Sequence, residues 1–331
     1  MHRCDGVARV RTPTGRQTSG GGVTSGDRTR STDSRVAREC PGFARKNRRM
    51  TEAPGILHLL AFAAEPGGGN PAGVVLDATA LDESDMLRIA AELGHPETAY
   101  VVARNGRRLR VRYFSPEAEV PFCGHATIAT AVALAEAEGP GEFVFETVAG
   151  DVEVSARDDG GRIAAGFTSV EPTVRDLDDA APLLALLGLD ADDLDPRMPL
   201  AEAFAGNWHP IVAVRVLDVF DGFGFDPLTV QALMRERGWT GTVTVVHAGG
   251  EIADGAVIEA RNLFPVGDIT EDPATGSAAA ALGVYLRERA GLDAPFHVTV
   301  HQGRHIGRPS ILEVDVPPVG GIHVRGGATP M

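Results

Sequence analysis

Two short runs carry the residue types best suited to chemistry. Cys123-Gly124-His125 and Asp272-Pro273-Ala274-Thr275-Gly276-Ser277 each combine titratable or hydroxyl side chains with glycine, and each leads into an alanine-rich stretch that reads as a helix start. The first turn of a helix presents unpaired backbone N–H groups and the positive end of the macrodipole. Two such starts facing each other would form a receptor for a small anionic molecule. The chain carries one structural idea twice, which points to a cleft between two halves.

Other chemistries are excluded by what is missing. The only lysine, Lys46, lies in the N-terminal leader, so the folded part has no amine for a Schiff base. No G-x-G-x-x-G follows a strand and no G-x-x-x-x-G-K-[ST] occurs, so the usual phosphate cradles are missing, and Gly67-Gly68-Gly69 marks only a loop. His125, His209, His247, His297, His301 and His305 show no H-E-x-x-H-like pairing, and we expect no metal and no cofactor. His297 and His301 are four apart on an expected strand, about 13 Å from one another, too far to share an ion. Acid–base chemistry by side chains alone remains.

The elements that would position these residues alternate between strand and helix. Strands are expected at 56–62, 73–76, 98–103, 109–114, 143–147 and 152–156, with a loop at 67–71 and helices at 82–93 and 126–137. Gly94 suits the C-cap of the former. The second half repeats the pattern, with strands near 211–216, 242–246 and 256–261, a helix over 276–289, and strands near 296–301, 312–316 and 322–324. The acidic, leucine-rich segment 176–195 reads as one or two short surface helices with no chemistry of its own.

Composition sets the frame. The 331 residues are 43% hydrophobic with a formal net charge of −14, long enough for two modest domains, without a membrane span, and repulsive to nucleic acid. Cys4, Cys40 and Cys123 are too few and too scattered for a disulfide framework, which fits a reducing compartment, by default the cytoplasm. Residues 1–50 are rich in Arg, Ser, Thr and Gly and read as a disordered leader, or as the product of a start codon placed too early, with Met50 the true first residue.

Five stretches in order make a family resemblance specific: Gly69-Asn70-Pro71-Ala72-Gly73-Val74-Val75-Leu76; Glu97-Thr98-Ala99-Tyr100-Val101; Arg112-Tyr113-Phe114-Ser115-Pro116; Glu119 to Thr127; and Glu271 to Ala278. Together they resemble the PhzF-like phenazine-biosynthesis isomerases across 56–324. The resemblance implies the α/β (α+β) diaminopimelate-epimerase-like fold: two similar halves, each a curled mixed sheet around a central helix, with the active site in the cleft between them. The expected division is 51–172 and 173–318, with a final strand near 319–326 that returns to the first half.

The resemblance also implies a cofactor-free isomerase that moves a proton on a small carboxylated metabolite, as trans-2,3-dihydro-3-hydroxyanthranilate isomerase does, and commonly a homodimer. Matched residue by residue, Glu97 falls on the catalytic glutamate, His125 and Gly124 on the helix-start pair that polarises the substrate, and Asp272 on the acid that orients it. Gly276 and Ser277 would hold the substrate carboxylate, and Asn70 would line the cleft from its loop. In sequence, Glu97 is also compatible with a surface position, His125 with a helix cap and Asp272 with a plain N-cap.

Two alternatives stay open. Racemases of the same broad fold place a cysteine at the front of each central helix, and Cys123 resembles one of them, so Cys123 acting against Asp272 would make an amino-acid epimerase, with its thiol pKa lowered at a helix N-terminus. A buried, inert Cys123 is the preferred reading. The other alternative is a non-catalytic small-molecule binder that kept the cleft. The ring specificity would be set by loops such as 204–210.

Overall fold

Two curled sheets each wrap one helix, because each central helix is apolar on every side. Gly124–Glu138 is buried continuously from His125 to Ala135, and Gly276–Glu288 from Ala278 to Leu286. A helix without a polar face has to be enclosed, and alanine side chains let strands approach it closely. The computed structural model describes residues 55–267 and 269–331. The readings made on 1–50, including the start at Met50, Lys46, Cys4 and Cys40, lie outside the described residues.

Around the first helix the sheet closes. Ile56–Ala61 pairs with Asn70–Val75, which pairs in parallel with Glu97–Asn105; the ladder continues through Arg108–Phe114, Gly141–Thr147, Gly150–Asp158 and Ile163–Thr168. His323–Pro330 then joins Ile163–Thr168 to Ile56–Ala61, so the last strand of the chain completes the first barrel. Around the second helix the order is Thr173–Asp176, Ala201–Phe204, Trp208–Ala213, Val243–His247, Ala256–Leu263, Phe296–Gln302, Ser310–Val316 and again His323–Pro330. The architecture is the diaminopimelate-epimerase-like one expected.

Local differences have physical reasons. The 67–71 loop is shorter than expected: Gly67 and Gly69 turn the chain at φ 85° and 80°, and Asn70 and Pro71 already belong to a strand. Proline is tolerated there because it stands at the strand start. The helix expected over 82–93 forms as Glu83–Leu93, N-capped by Asp82 and ended by Gly94 at φ 66°. The acidic segment contains Ala181–Leu187, whose Leu183 and Leu187 are buried, and the short turn Ala191–Asp193. Helices Leu217–Gly222 and Pro227–Arg237 went unread because their apolar faces are short. Among the described residues, no helix is long and apolar enough to cross a membrane.

Candidate active site

The two helix starts meet head to head. A Cβ added at Gly124 would lie 3.4 Å from the Cα of Gly276, and one at Gly276 would lie 3.5 Å from the Cα of Gly124. The Phe167 ring closes the same space, 3.3 Å from the first position and 3.0 Å from the second. Neither N-cap residue, Cys123 or Thr275, caps its helix with a side chain. The first intrahelical bonds are Thr127 N–H to Cys123 O and Ala279 N–H to Thr275 O, both 3.0 Å. The N–H groups of Gly124, His125, Gly276 and Ser277 precede them and have no intrahelical acceptor.

Glu97 opens the strand Glu97–Asn105, opposite Ala72. Its side chain is 19% exposed and its Oε2 stands 3.2 Å from Nε2 of His125. Burial raises the Glu97 carboxyl to about 7, helped by the nearby Asp272 charge and opposed by a hydrogen bond from Cys123. His125 is buried, and its pKa falls to about 3, chiefly through desolvation, with the Pro71 backbone opposing. The ring is therefore neutral. Asn70 Nδ2 stands 3.1 Å from His125 Nδ1, and Nε2 faces Glu97.

Asp272 sits in the two-residue strand Glu271–Asp272, not at the N-cap, which is Thr275. Its Oδ1 accepts from Asn70 Nδ2 at 2.8 Å and its Oδ2 from the Thr275 hydroxyl at 2.6 Å. Gln302 Nε2 donates to its backbone oxygen at 2.6 Å. Burial raises the Asp272 carboxyl to about 6 against the Thr275 and Asn70 bonds. Asn70 also donates to Ala274 O at 3.0 Å, so one buried amide ties the first helix start to the second.

Cys123 Sγ lies 3.4 Å from His125 Nδ1 and 3.7 Å from Nε2. The expectation of a lowered thiol pKa is reversed. Burial and the Glu97 charge push the thiol well above its ordinary value, and the Ala126 N–H at the helix start offsets only part of that. Ligand atoms of Glu97, Cys123 and His125 lie within 4.8 Å of one another, a spacing that also suits a metal ion. Reading ligands by spacing along the chain could not find this trio, because Glu97 comes from a different strand.

The structure brings together Asn70, Glu97, Cys123, Gly124, His125, Asp272 and Gly276, while Ser277 stands at the second helix start in a hydrogen bond with His209, at 3.1 Å to Nε2. Sequence reading missed His209, Thr275 and Gln302. Gln302 had a signal: Phe296–Gln302 alternates buried and part-exposed residues, and a glutamine occupies a buried position. His209 had one as well, since Gly206-Asn207-Trp208-His209-Pro210 echoes Gly69-Asn70-Pro71.

Comparison with known proteins agrees with the fold. A family model described as phenazine biosynthesis-like protein matches residues 59–331. The chain is 34% identical over 273 residues to the uncharacterised isomerase YddE of Escherichia coli O157:H7, covering 80% of this chain and 90% of that one. It is 31% identical over 254 residues to trans-2,3-dihydro-3-hydroxyanthranilate isomerase of Pseudomonas fluorescens, covering 76% and 86%. The crystal structure of a Bacillus anthracis phenazine biosynthesis protein of the PhzF family superposes with a TM-score of 0.75 at 28% identity, over 83% of this chain and 96% of that one.

Proposed function

Because this chain belongs to the phenazine biosynthesis-like PhzF family of isomerases, we propose that it moves a proton between two carbons of a small cyclic carboxylate without a cofactor. The observation that carries this reading is Glu97: a carboxyl raised to about 7, 3.2 Å from a neutral histidine, beside two opposed helix starts. A group that takes a proton from carbon and returns it works best when its pKa lies near the operating pH.

The roles follow from the contacts. Glu97 in its carboxylate form removes a proton from a ring carbon, and the resulting acid delivers a proton to a second carbon. His125, 3.2 Å from Glu97, holds the carboxyl in place between the two transfers. The free N–H groups of Gly124, Gly276 and Ser277, with the Ser277 hydroxyl, receive the substrate carboxylate. Asp272, held by Asn70 and Thr275, accepts from an amino or hydroxyl substituent and orients the ring. The substrate class is that of the Pseudomonas fluorescens relative, a dihydro-hydroxyanthranilate. Amino-acid epimerisation by Cys123 gains no support, since its thiol pKa is raised and Thr275 occupies the place of a second cysteine.

The test is proton NMR in D₂O of the protein with dihydro-hydroxyanthranilate and a panel of cyclic and α-amino carboxylates. Deuterium entering a ring carbon with wild type and not with Glu97→Gln supports the reading. Exchange that persists in the variant overturns it. Exchange only at the α-carbon of an amino acid, abolished by Cys123→Ala, would replace it with epimerisation.

A further inference from the structure

His209 is fully buried in the strand Trp208–Ala213, and its ring is held in one orientation. Gly241 lies flat against it: a Cβ at that position would fall 2.5 Å from Cε1, 2.7 Å from Nδ1 and 2.8 Å from Nε2. Gly241 has no positive φ, so its backbone does not require glycine; the imidazole does. The backbone N–H of Thr242 donates to Nδ1 at 3.0 Å. Nδ1 also stands 3.2 Å from the Thr242 carbonyl oxygen and 3.0 Å from its hydroxyl oxygen, so Thr242 offers this nitrogen both a donor and acceptors, and the contacts are compatible with a ring hydrogen on either nitrogen. The Thr242 hydroxyl is turned to Asn262 Oδ1 at 2.7 Å, as is that of Thr244, also 2.7 Å. Burial keeps the ring neutral, with its pKa down at about 4.

Nε2 of His209 stands 3.1 Å from Oγ of Ser277, the second residue of the helix Gly276–Glu288. A hydroxyl that accepts the Nε2 hydrogen must point its own hydrogen elsewhere. We propose that His209 carries its ring hydrogen on Nε2 and is a positioning residue: by donating to Ser277 it commits the Ser277 hydroxyl to donate to the ligand, and so tunes this end of the cleft for a carboxylate over a neutral amide. The consequence is selectivity at the group that anchors the substrate, at a distance from the proton transfer at Glu97. This rests on the reading of the second helix start as the carboxylate site.

Three measurements test it. In ¹⁵N spectra of histidine-labelled protein, with the His209 signals assigned by their loss in His209→Gln, Nδ1 is expected to be bare and Nε2 protonated at neutral pH. A protonated Nδ1 overturns the proposal whatever the enzyme's substrate. In kinetics with dihydro-hydroxyanthranilate, His209→Leu should raise KM about 10-fold and leave kcat within about 3-fold, the value of one lost hydrogen bond. His209→Gln, whose amide N–H reaches toward the same hydroxyl, should restore most of the loss. In a Ser277→Ala background, His209→Leu should add less than about 2-fold; effects that multiply instead would overturn the link. Calorimetry with anthranilate and anthranilamide separates this proposal from the assigned reaction. Wild type should prefer the acid by about 10-fold, and His209→Leu should erase most of that preference even if no isomerisation is found. Equal preference in both proteins sinks the positioning role.

Discussion

The two helix starts share a frame and differ in their side chains. Asn70 and His209 each precede a proline, and each stands two residues before the residue paired in parallel with the next strand: Ala72 with Glu97, and Ile211 with Thr244. Glu97 therefore corresponds to Thr244, Cys123 to Thr275 and His125 to Ser277. The short strands preceding the helices correspond too, since Tyr113 pairs with Val120 and Asn262 with Asp272. Even the supporting ion pair is repeated, Arg112 with Glu119 and Arg261 with Glu271, both at 2.6 Å. At three matched positions the first half has groups that titrate and the second has hydroxyls. At the fourth the second half has Asp272 where the first has Val120. The two halves share a backbone geometry, and on the proposed function they divide the work: proton transfer on one side, hydrogen-bond donation and orientation on the other.

Removing the titrating group should break this contrast most completely. Glu97→Gln is expected to lower turnover by about 10²- to 10⁴-fold, read by deuterium exchange. Loss of a similar size in Ser277→Ala, with KM unchanged, would mean that the division is wrong. Wild-type kcat/KM should rise with pH as the Glu97 carboxylate forms, through an ascending limb near pH 7. A limb that persists but moves to lower pH when Asp272 is replaced by Asn, as loss of its charge beside Glu97 requires, would assign it to the first half.

Folding stability sharpens the comparison further. Glu97 has its folded pKa above the ordinary 4.5, at about 7, so between those values the folded protein binds more protons than the unfolded chain. Stability is therefore lost as pH rises through that window. Glu97→Gln should be more stable than wild type at pH 8, by about 1–3 kcal/mol in denaturant unfolding, and nearly equal at pH 4. No such window is expected for Thr244→Val. The opposed glycines should show an effect of opposite sign. Gly276→Ala, with its new Cβ 3.0 Å from the Phe167 ring, should destabilise by about 1–3 kcal/mol, and Gly124→Ala, at 3.3 Å, by less.

The smallest effects concern Cys123. Its raised thiol pKa makes it a packing group, so Cys123→Ala should change turnover less than about 5-fold. Dialysis against a chelator should leave activity intact. Activity lost to the chelator and restored by zinc would instead give Glu97, Cys123 and His125 a metal to hold.

The sequence by itself determined the two alanine-rich central helices, the glycines at their starts, most of the strands and, through five ordered motifs, the family. These are local matters: periodicity, turn residues and small side chains fix an element within a few residues of itself. It could not distinguish Asp272 as a helix cap from Asp272 as an acid held by Asn70, because the deciding partner is 202 residues away. Nor could it give the sign of the Cys123 shift, which depends on whether burial or the helix start dominates. His209 was legible only as one histidine among several until folding set it against Gly241, Thr242 and Ser277. Tertiary structure decided the direction of the pKa shifts and the partnerships of the site, because desolvation and hydrogen-bond geometry belong to the space between elements and not to any one of them.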